Sequence, residues 1–171
     1  IIFNFFFFIL PGCIHENSSL SSTQEITWLS YPTASTIQEA WLTWDNFYSE
    51  KTNPQVIPTL SAFKKLLKNN STCLTKRVSD IESHMENSRL EKYKHATSAE
   101  EAYPPNDRPR GQKDVDSVSY HISTQKPVDP IIVLSVLDLF GKKHLIKLDG
   151  VHRIMAALIR KSKVRICYIN A

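Results

Sequence analysis

One short run of residues in the second half of the chain combines the residue types that bind anions. Leu148-Asp149-Gly150-Val151-His152-Arg153 closes an apolar, strand-like stretch and opens an apolar, helix-like one. The first amides of a helix have no partners within the helix, and glycine lets the backbone approach a ligand closely. His152 adds an imidazole, and Arg153 adds a guanidinium that can hold phosphate oxygens through two bonds. The run therefore predicts a phosphate site.

The same spacing also has a purely structural interpretation. In that interpretation Asp149 caps the helix, Arg153 is an exposed cation on the helix surface, and His152 packs against its neighbours. The spacing of the residues leaves both interpretations open.

The elements that must position this motif follow from the hydrophobic pattern and the turn residues. Strand-like patterns cover residues 72–78, 131–137, 143–148 and 164–169. Apolar residues three and four apart predict helices at 37–48, 60–69, 113–123 and 151–161, with Thr59 capping the second. Ser79 indicates a further helix start, 85–103 is polar and helical at best, and prolines keep 103–111 irregular. This order predicts a compact α+β fold with mixed α/β layers.

The strand, the Asp149-Gly150-x-His152-Arg153 motif, the apolar helix with Ala156-Ala157 and the closing strand resemble the ParB and sulfiredoxin superfamily. Residues 128–133 are similar to that family's entry into its hairpin, and residues 73–81 to its opening strand and short helix. We therefore divide the chain into an apolar terminus at 1–17, a helical N-terminal region at 18–71 and a ParB/sulfiredoxin-like domain at 72–171.

The resemblance implies that the motif binds nucleotide phosphates, with ATP or CTP and an accompanying Mg ion as the cofactor. The residues expected to contact the nucleotide are Asp149, Gly150, Val151, His152, Arg153, Lys113, Arg108 and Arg110. Arg108 and Arg110 precede the helix at 113–123, and they could equally be solvated loop charges. Sulfiredoxins carry their catalytic cysteine where this chain has Val151, so sulfiredoxin chemistry is not expected.

The stand-alone members that this motif resembles include kinases, so the expected reactions are phosphoryl transfer to a small hydroxyl acceptor or hydrolysis of the nucleotide. Phosphoryl transfer to a hydroxyl would require a general base. His152 and Arg153 would stabilise the charge on the phosphate oxygens. The carboxylates that could act as the base are Asp129, Asp107, Asp116 and Glu82, with Asp129 as the working candidate. Asp149 is expected to orient His152 or Arg153 instead.

Uneven charge supports an alternative function. The chain carries a net charge of +4, whereas residues 142–165 contain eight basic residues and one acid. This segment could bind a nucleic-acid backbone through Lys142, Lys143, Arg160, Lys161, Lys163 and Arg165, or it could form an ordinary solvated face. A DNA-associated ParB-type module, non-catalytic or nuclease-like, is therefore the alternative. Phosphodiester cleavage is less favoured, since the acids are scattered.

The cysteines and the first residues limit the other classes of protein. Cys13, Cys73 and Cys167 show neither paired spacing nor histidines at metal-ligand spacing, so a disulfide framework and a zinc ribbon are not expected. The first ten residues are nearly all apolar, but a membrane-spanning helix needs about 20. We expect a buried terminus in a cytoplasmic protein, with an exported or lipid-anchored form as the alternative.

Overall fold

A computed structural model describes residues 25–47, 57, 59–82, 88–137, 141 and 143–170. Within these residues the helices are α1 (Ala34–Phe47), α2 (Leu60–Asn70), α3 (Ser79–Glu82), α4 (Ser88–Lys92), α5 (Ala99–Ala102), α6 (Gln112–Ser123) and α7 (Val151–Ile159). The strands are β1 (Ser71–Arg77), β2 (Ile131–Leu137), β3 (Lys143–Asp149) and β4 (Lys163–Asn170). The expected α+β class is confirmed.

The four strands form one mixed sheet in the order β1-β4-β2-β3. β2 and β4 are parallel, and the other two neighbouring pairs are antiparallel. In the central strand β2 the first six residues are buried, which explains its continuous apolar sequence. The β2–β3 register shifts by one residue at the start of β2, so that Leu148 and Asp149 both lie opposite Ile132. Such a bulge re-aims side chains at the end of a strand.

Helices α1 and α2 cover what we call the apolar face of the sheet. The register pairs Cys73 with Cys167 across β1 and β4, and a disulfide joins them, a bond that cysteine spacing did not predict. The cap predicted at Thr59 is confirmed, because its hydroxyl accepts a hydrogen bond from the Ala62 amide at 3.2 Å. The buried core of this face includes Ile37, Ala40, Trp44, Phe63 and Leu67 from the helices and Ile132, Leu134, Leu148, Cys167 and Ile169 from the sheet.

The other helices cover the opposite side, which we call the site face. Its buried core includes Ile81, Leu90, Tyr103, Val115, Val118, Ile131, Val133, Ile154, Met155 and Ile166. Lys147 lies opposite Val133 in the β2–β3 register and therefore on this side of the sheet. The strand turns directly into α7 after Asp149, which brings the motif to the edge of the same face.

Several predicted boundaries differ from the observed ones. The segment at 85–103 contains two short helices, α4 and α5. Helix α7 ends at Ile159, and Lys161 adopts a left-handed conformation with φ of 53° before β4 begins. The division proposed at residue 72 falls next to the junction of α2 and β1, two elements that follow each other without a linker.

The apolar terminus predicted at residues 1–17 lies outside the described residues. In the part of the chain that the structure describes, no helix combines the length and apolar character needed to cross a membrane.

Candidate anion-binding site

Gly150 forms the start of α7 and is required there by its backbone. Its φ is +105°, in the left-handed region, and a Cβ atom at this position would lie 3.0 Å from Ile131 Cγ1 and 3.2 Å from Arg153 Nη2. Gly150 also occupies the N-cap position, where no side chain caps the helix. The amides of the first helical turn are therefore left for another acceptor, and the helix dipole favours a negative one.

Arg153 turns back towards the strand from which α7 emerges. Its Nη2 donates to Asp149 Oδ2, and only 11% of its side chain is exposed. Its Nε is buried without a hydrogen-bond partner among the described residues. The structural interpretation of the motif is thus wrong for two residues, because Asp149 binds Arg153 rather than capping the helix, and Arg153 is not an exposed cation.

His152 connects α7 to the loop before α6. Its Nε2 lies 3.0 Å from Asp114 Oδ1 and 3.3 Å from Arg110 Nη2, and its ring stacks on Tyr103 with the centroids 5.3 Å apart. Burial lowers the pKa of His152, and Arg110 lowers it further, whereas Asp114 raises it; the net shift is downward. A neutral His152 can donate from Nε2 to Asp114, and Arg110, whose Nε also donates to Asp114, can then turn its Nη atoms to a ligand.

Asp114 holds the loop of Arg110 against α7. Its side chain is only 3% exposed, and it accepts hydrogen bonds from the Arg110 amide at 2.8 Å and from Arg110 Nε at 3.0 Å as well as the contact with His152. Burial raises the pKa of Asp114, but the hydrogen bonds from Arg110 and His152 outweigh it, so that the pKa lies below its usual value. Asp114 is therefore an ionised anchor for both residues.

The ring of Tyr103, on which His152 stacks, is itself held in place by Arg89. The Arg89 guanidinium lies 4.1 Å from the Tyr103 ring centroid and donates to the Ala102 carbonyl at 3.0 Å and to Asp107. Burial raises the pKa of Tyr103 to about 12, so its hydroxyl stays protonated. Asp107 also accepts from Tyr93 and Lys92, and these hydrogen bonds hold its pKa far below the usual range.

Known proteins give no guide to this site. The chain matches no protein-family model, and searches of curated proteins and of solved structures find no similar protein. Its function must be inferred from the chemistry of the site.

Three titratable side chains beside the motif, Lys147, His121 and Asp114, were not predicted from the sequence. Burial lowers the pKa of Lys147 to about 8 and the pKa of His121 to about 4. Lys147 forms no hydrogen bond or ion pair with any residue that the structure describes, and His121 Nδ1 is buried without such a partner. Lys147 could have been noticed because a lysine interrupts the apolar strand two residues before Asp149. Asp114 could have been noticed in the predicted helix at 113–123.

The other predicted contact residues lie in different surroundings. Arg108 donates to the Tyr103 carbonyl and, at 3.0 Å, to Gln112 Oε1. Lys113 is exposed on α6, and Val151 is partly buried in the first turn of α7. Of the predicted residues, the structure thus brings together Arg110 and His152 as one pair, and Arg153 and Asp149 as another.

The candidate general bases are spread over the fold. Asp129 accepts hydrogen bonds from the Thr33 amide and hydroxyl, just before α1. Asp116 is exposed and accepts from Gln112 at 3.1 Å. The side chain of Glu82 lies outside the described part of the structure. No described contact joins any of these carboxylates to His152.

A Mg ion would have to be held mainly by the nucleotide. Among the described residues, no group of three or more histidine, cysteine, aspartate or glutamate side chains is arranged to hold a metal ion. Asp107, Asp114 and Asp149 are each bound to arginine. The carboxylates nearest the motif are therefore committed to cations of the protein, and phosphate oxygens would supply most ligands of a Mg ion.

The cations of the predicted basic segment differ in their contacts: the arginines donate to backbone carbonyls, whereas the described lysines are exposed or line cavities. Arg160 donates to the Ile122 carbonyl, and Arg165 to the Ser30 carbonyl. Lys143 is exposed, and Lys142 lies outside the described residues. Lys161 and Lys163 line an open cavity of about 320 Å³ together with Arg77, and Lys163 and Arg77 also line an adjoining cavity of about 420 Å³ with Lys76 and Asp80. We call these two cavities the basic cleft.

Proposed function

We propose that this protein binds the phosphate groups of a nucleoside triphosphate at the start of α7. The observation that carries the proposal is the meeting of Arg110 and His152, which are 42 residues apart in the chain and 3.3 Å apart in the fold. They meet beside a helix start whose N-cap is a glycine without a side-chain cap. Free amides and a guanidinium, held together by Asp114 and the neutral His152, are groups that recognise phosphate.

The balance of charge at the site also favours an anion. Asp149 and Asp114 are each matched by one arginine, Arg153 and Arg110. The helix dipole and the ammonium of Lys147 then leave the site with excess positive charge. A ligand carrying negative charge would compensate this excess.

The resemblance to the ParB and sulfiredoxin superfamily narrows the proposed ligand from phosphate to a nucleotide. ATP and CTP are the candidates, each bound with Mg through its own phosphates. Val151 supplies no thiolate at the helix start, so we do not propose repair of oxidised cysteine.

Phosphoryl transfer to a small hydroxyl acceptor is the reaction that we propose if the site is catalytic. Arg110 would stabilise the charge on the transferred group, His152 would position Arg110 through their shared partner Asp114, and Arg153 would hold the start of the helix. Asp129 remains the working candidate for the base, although its present partner is Thr33. Incubation with labelled ATP or CTP, Mg and a set of hydroxyl acceptors separates transfer from binding alone.

Calorimetric titration with ATP and CTP tests the binding proposal. Wild-type protein should bind at least one nucleotide, and Arg110→Ala should weaken that binding roughly tenfold or more, because a charged hydrogen bond to phosphate is lost. Arg108→Ala is the matched control, since Arg108 lies in the same loop but donates to the Tyr103 carbonyl and Gln112. Equal binding by Arg110→Ala and wild type would reject the site.

The basic cleft supports a second candidate function, binding of a nucleic-acid backbone. Arg77 and Lys163 lie directly opposite each other in the β1–β4 register and both line the cleft. The cleft contains four cations and only two carboxylates, Asp80 and Glu25, so its excess positive charge favours an anion. A gel-shift series on duplex and single-stranded DNA from low to physiological salt tests this candidate, which predicts a steep loss of binding with salt. The absence of any shift at low salt would reject it.

A further inference from the structure

Lys147 differs from the other cations around the start of α7. Arg89, Arg110 and Arg153 each form an ion pair with an aspartate. Lys147 is partly buried and yet forms no hydrogen bond or ion pair with the residues that the structure describes. Unlike the buried Arg153 Nε and His121 Nδ1, the Lys147 ammonium keeps contact with solvent, so a ligand that approaches the site face can reach it.

The position of Lys147 relates it to the proposed phosphate site. It lies on β3 two residues before Asp149, a step of roughly 7 Å along a strand, and on the site face opposite Val133. The charged groups that act on its ammonium are Asp149 on its own strand and Arg89 on α4. Asp149 already forms an ion pair with Arg153, so its negative charge compensates Lys147 only in part.

We propose that Lys147 is a second phosphate contact, which makes the site selective for ligands with two or more linked phosphates over ligands with one. This inference rests on the proposed function, because the first phosphate is the one bound at the start of α7. The flexible four-carbon side chain of lysine can reach from the strand to a phosphate adjacent to the first. The ligand class is therefore a nucleoside diphosphate or triphosphate.

The lowered pKa of Lys147, about 8, agrees with this role. In the free protein burial disfavours the charged amine, and a second phosphate would favour it. Binding of a diphosphate should therefore weaken as the pH rises above about 8, by up to about tenfold per unit, because the ligand then has to recruit a proton. The terminal phosphates of both nucleotides used below lose their last proton near pH 6, about two units lower, and do not contribute to this change.

The test compares ADP with AMP at pH 7.5 by calorimetry, since the two share base and sugar. Wild-type protein should bind ADP more tightly than AMP, and Lys147→Met should weaken ADP binding roughly tenfold while AMP binding changes little. Lys147→Arg should retain the preference for ADP and lose the pH dependence above pH 8. Lys143→Met is the matched control, because Lys143 lies on the same side of β3 but is exposed.

The outcomes separate this inference from the proposed function. If wild-type protein binds ADP and Lys147→Met binds it equally well, the inference is wrong and the phosphate site stands. If Lys147→Met weakens ADP and AMP equally, Lys147 is not a second contact and the inference is also wrong. If wild-type protein binds neither ADP nor AMP, the same comparison is made with CDP and CMP. If none of the four binds, the inference is wrong, and the proposed function fails as well if ATP and CTP do not bind.

Discussion

The two faces of the sheet bury side chains of different chemistry. On the apolar face, α1 and α2 bury aromatic and aliphatic side chains against β2 and β4. On the site face, the same sheet packs against helices that also bury Asp114 and partly bury His121, His152 and Lys147. Lys147 and both histidines have their pKa values shifted towards the neutral form by burial.

Because the two faces bury different side chains, the apolar face contributes mainly to stability and the site face carries the groups suited to ligand binding. Apolar side chains gain free energy when they leave water, whereas a basic group that burial discharges lowers the stability of the fold at pH 7 or below. Groups that cost stability are typical of binding and catalytic sites. Substitutions on the apolar face should therefore change folding alone, and substitutions on the site face should change folding and ligand binding in separable ways.

The largest effect is expected on the apolar face, from Leu67→Ala. Leu67 is fully buried on α2, so its truncation should lower the free energy of unfolding by about 3 kcal/mol. Nucleotide affinity at the start of α7 should not change. Urea denaturation and calorimetry measure the two quantities, and Leu42→Ala is the control because Leu42 is 45% exposed on α1. A loss of nucleotide affinity in folded Leu67→Ala protein would contradict the claim that the apolar face affects folding alone.

Asp114→Ala should affect both folding and binding. It leaves His152 and the Arg110 amide without their buried acceptor, at a cost of about 2 to 3 kcal/mol in the free energy of unfolding. ATP affinity should also fall, because the loop of Arg110 is no longer held at α7. Asp116→Ala on the same helix is the control, since Asp116 is exposed. Unchanged ATP affinity in folded Asp114→Ala protein would show that the loop is not part of the site.

His121 should make the fold sensitive to acid. Its pKa is about 4 in the folded state and about 6.5 in the unfolded chain, so the unfolded state binds the extra proton between these values. Stability should therefore fall as the pH drops from 6.5 to 4. His121 should contribute about 2 kcal/mol of the loss, less than the full shift implies because its ring is only partly buried. His121→Asn should flatten this dependence in urea titrations, whereas substitution of the exposed His95 should not. An equal slope in His121→Asn would contradict the assignment.

Lys147→Met should have the smallest effect on the free energy of unfolding, and it should raise this free energy rather than lower it. The pKa of Lys147 is lowered from 10.5 to about 8, so wild-type stability should rise with pH across that window. At pH 7 the variant should be more stable than wild type by about 1 kcal/mol, less than the full shift implies because the amine is only partly buried. Lys143→Met should leave stability unchanged. A destabilised Lys147→Met would show that the methylene chain of lysine packs better than the methionine.

Much of the fold could be predicted from the sequence because its signals are local. The continuous apolar run of β2, the periodicity of α7 and the cap at Thr59 each depend on neighbouring residues. The sheet order and the Cys73–Cys167 disulfide depend instead on how distant strands pair, which residue spacing does not encode.

The site was only partly predictable for the same reason. Asp149, Gly150, His152 and Arg153 are adjacent in sequence and were found together. Asp114, Tyr103 and Lys147 join them through packing of α6, the loop after α5 and β3, and their own sequence surroundings show no motif. Arg108 and Arg110 were equivalent candidates in the sequence, and only their contacts distinguish them.

A backbone-amide chemical-shift titration with ATP tests the central claim most directly, because it reports where on the molecule the phosphates bind. The amides of Val151, His152 and Arg153 should shift most, followed by that of Arg110, and Arg110→Ala should reduce these shifts at equal ATP concentration. The largest shifts at Arg77 and Lys163 in the basic cleft, with the start of α7 unchanged, would contradict the claim.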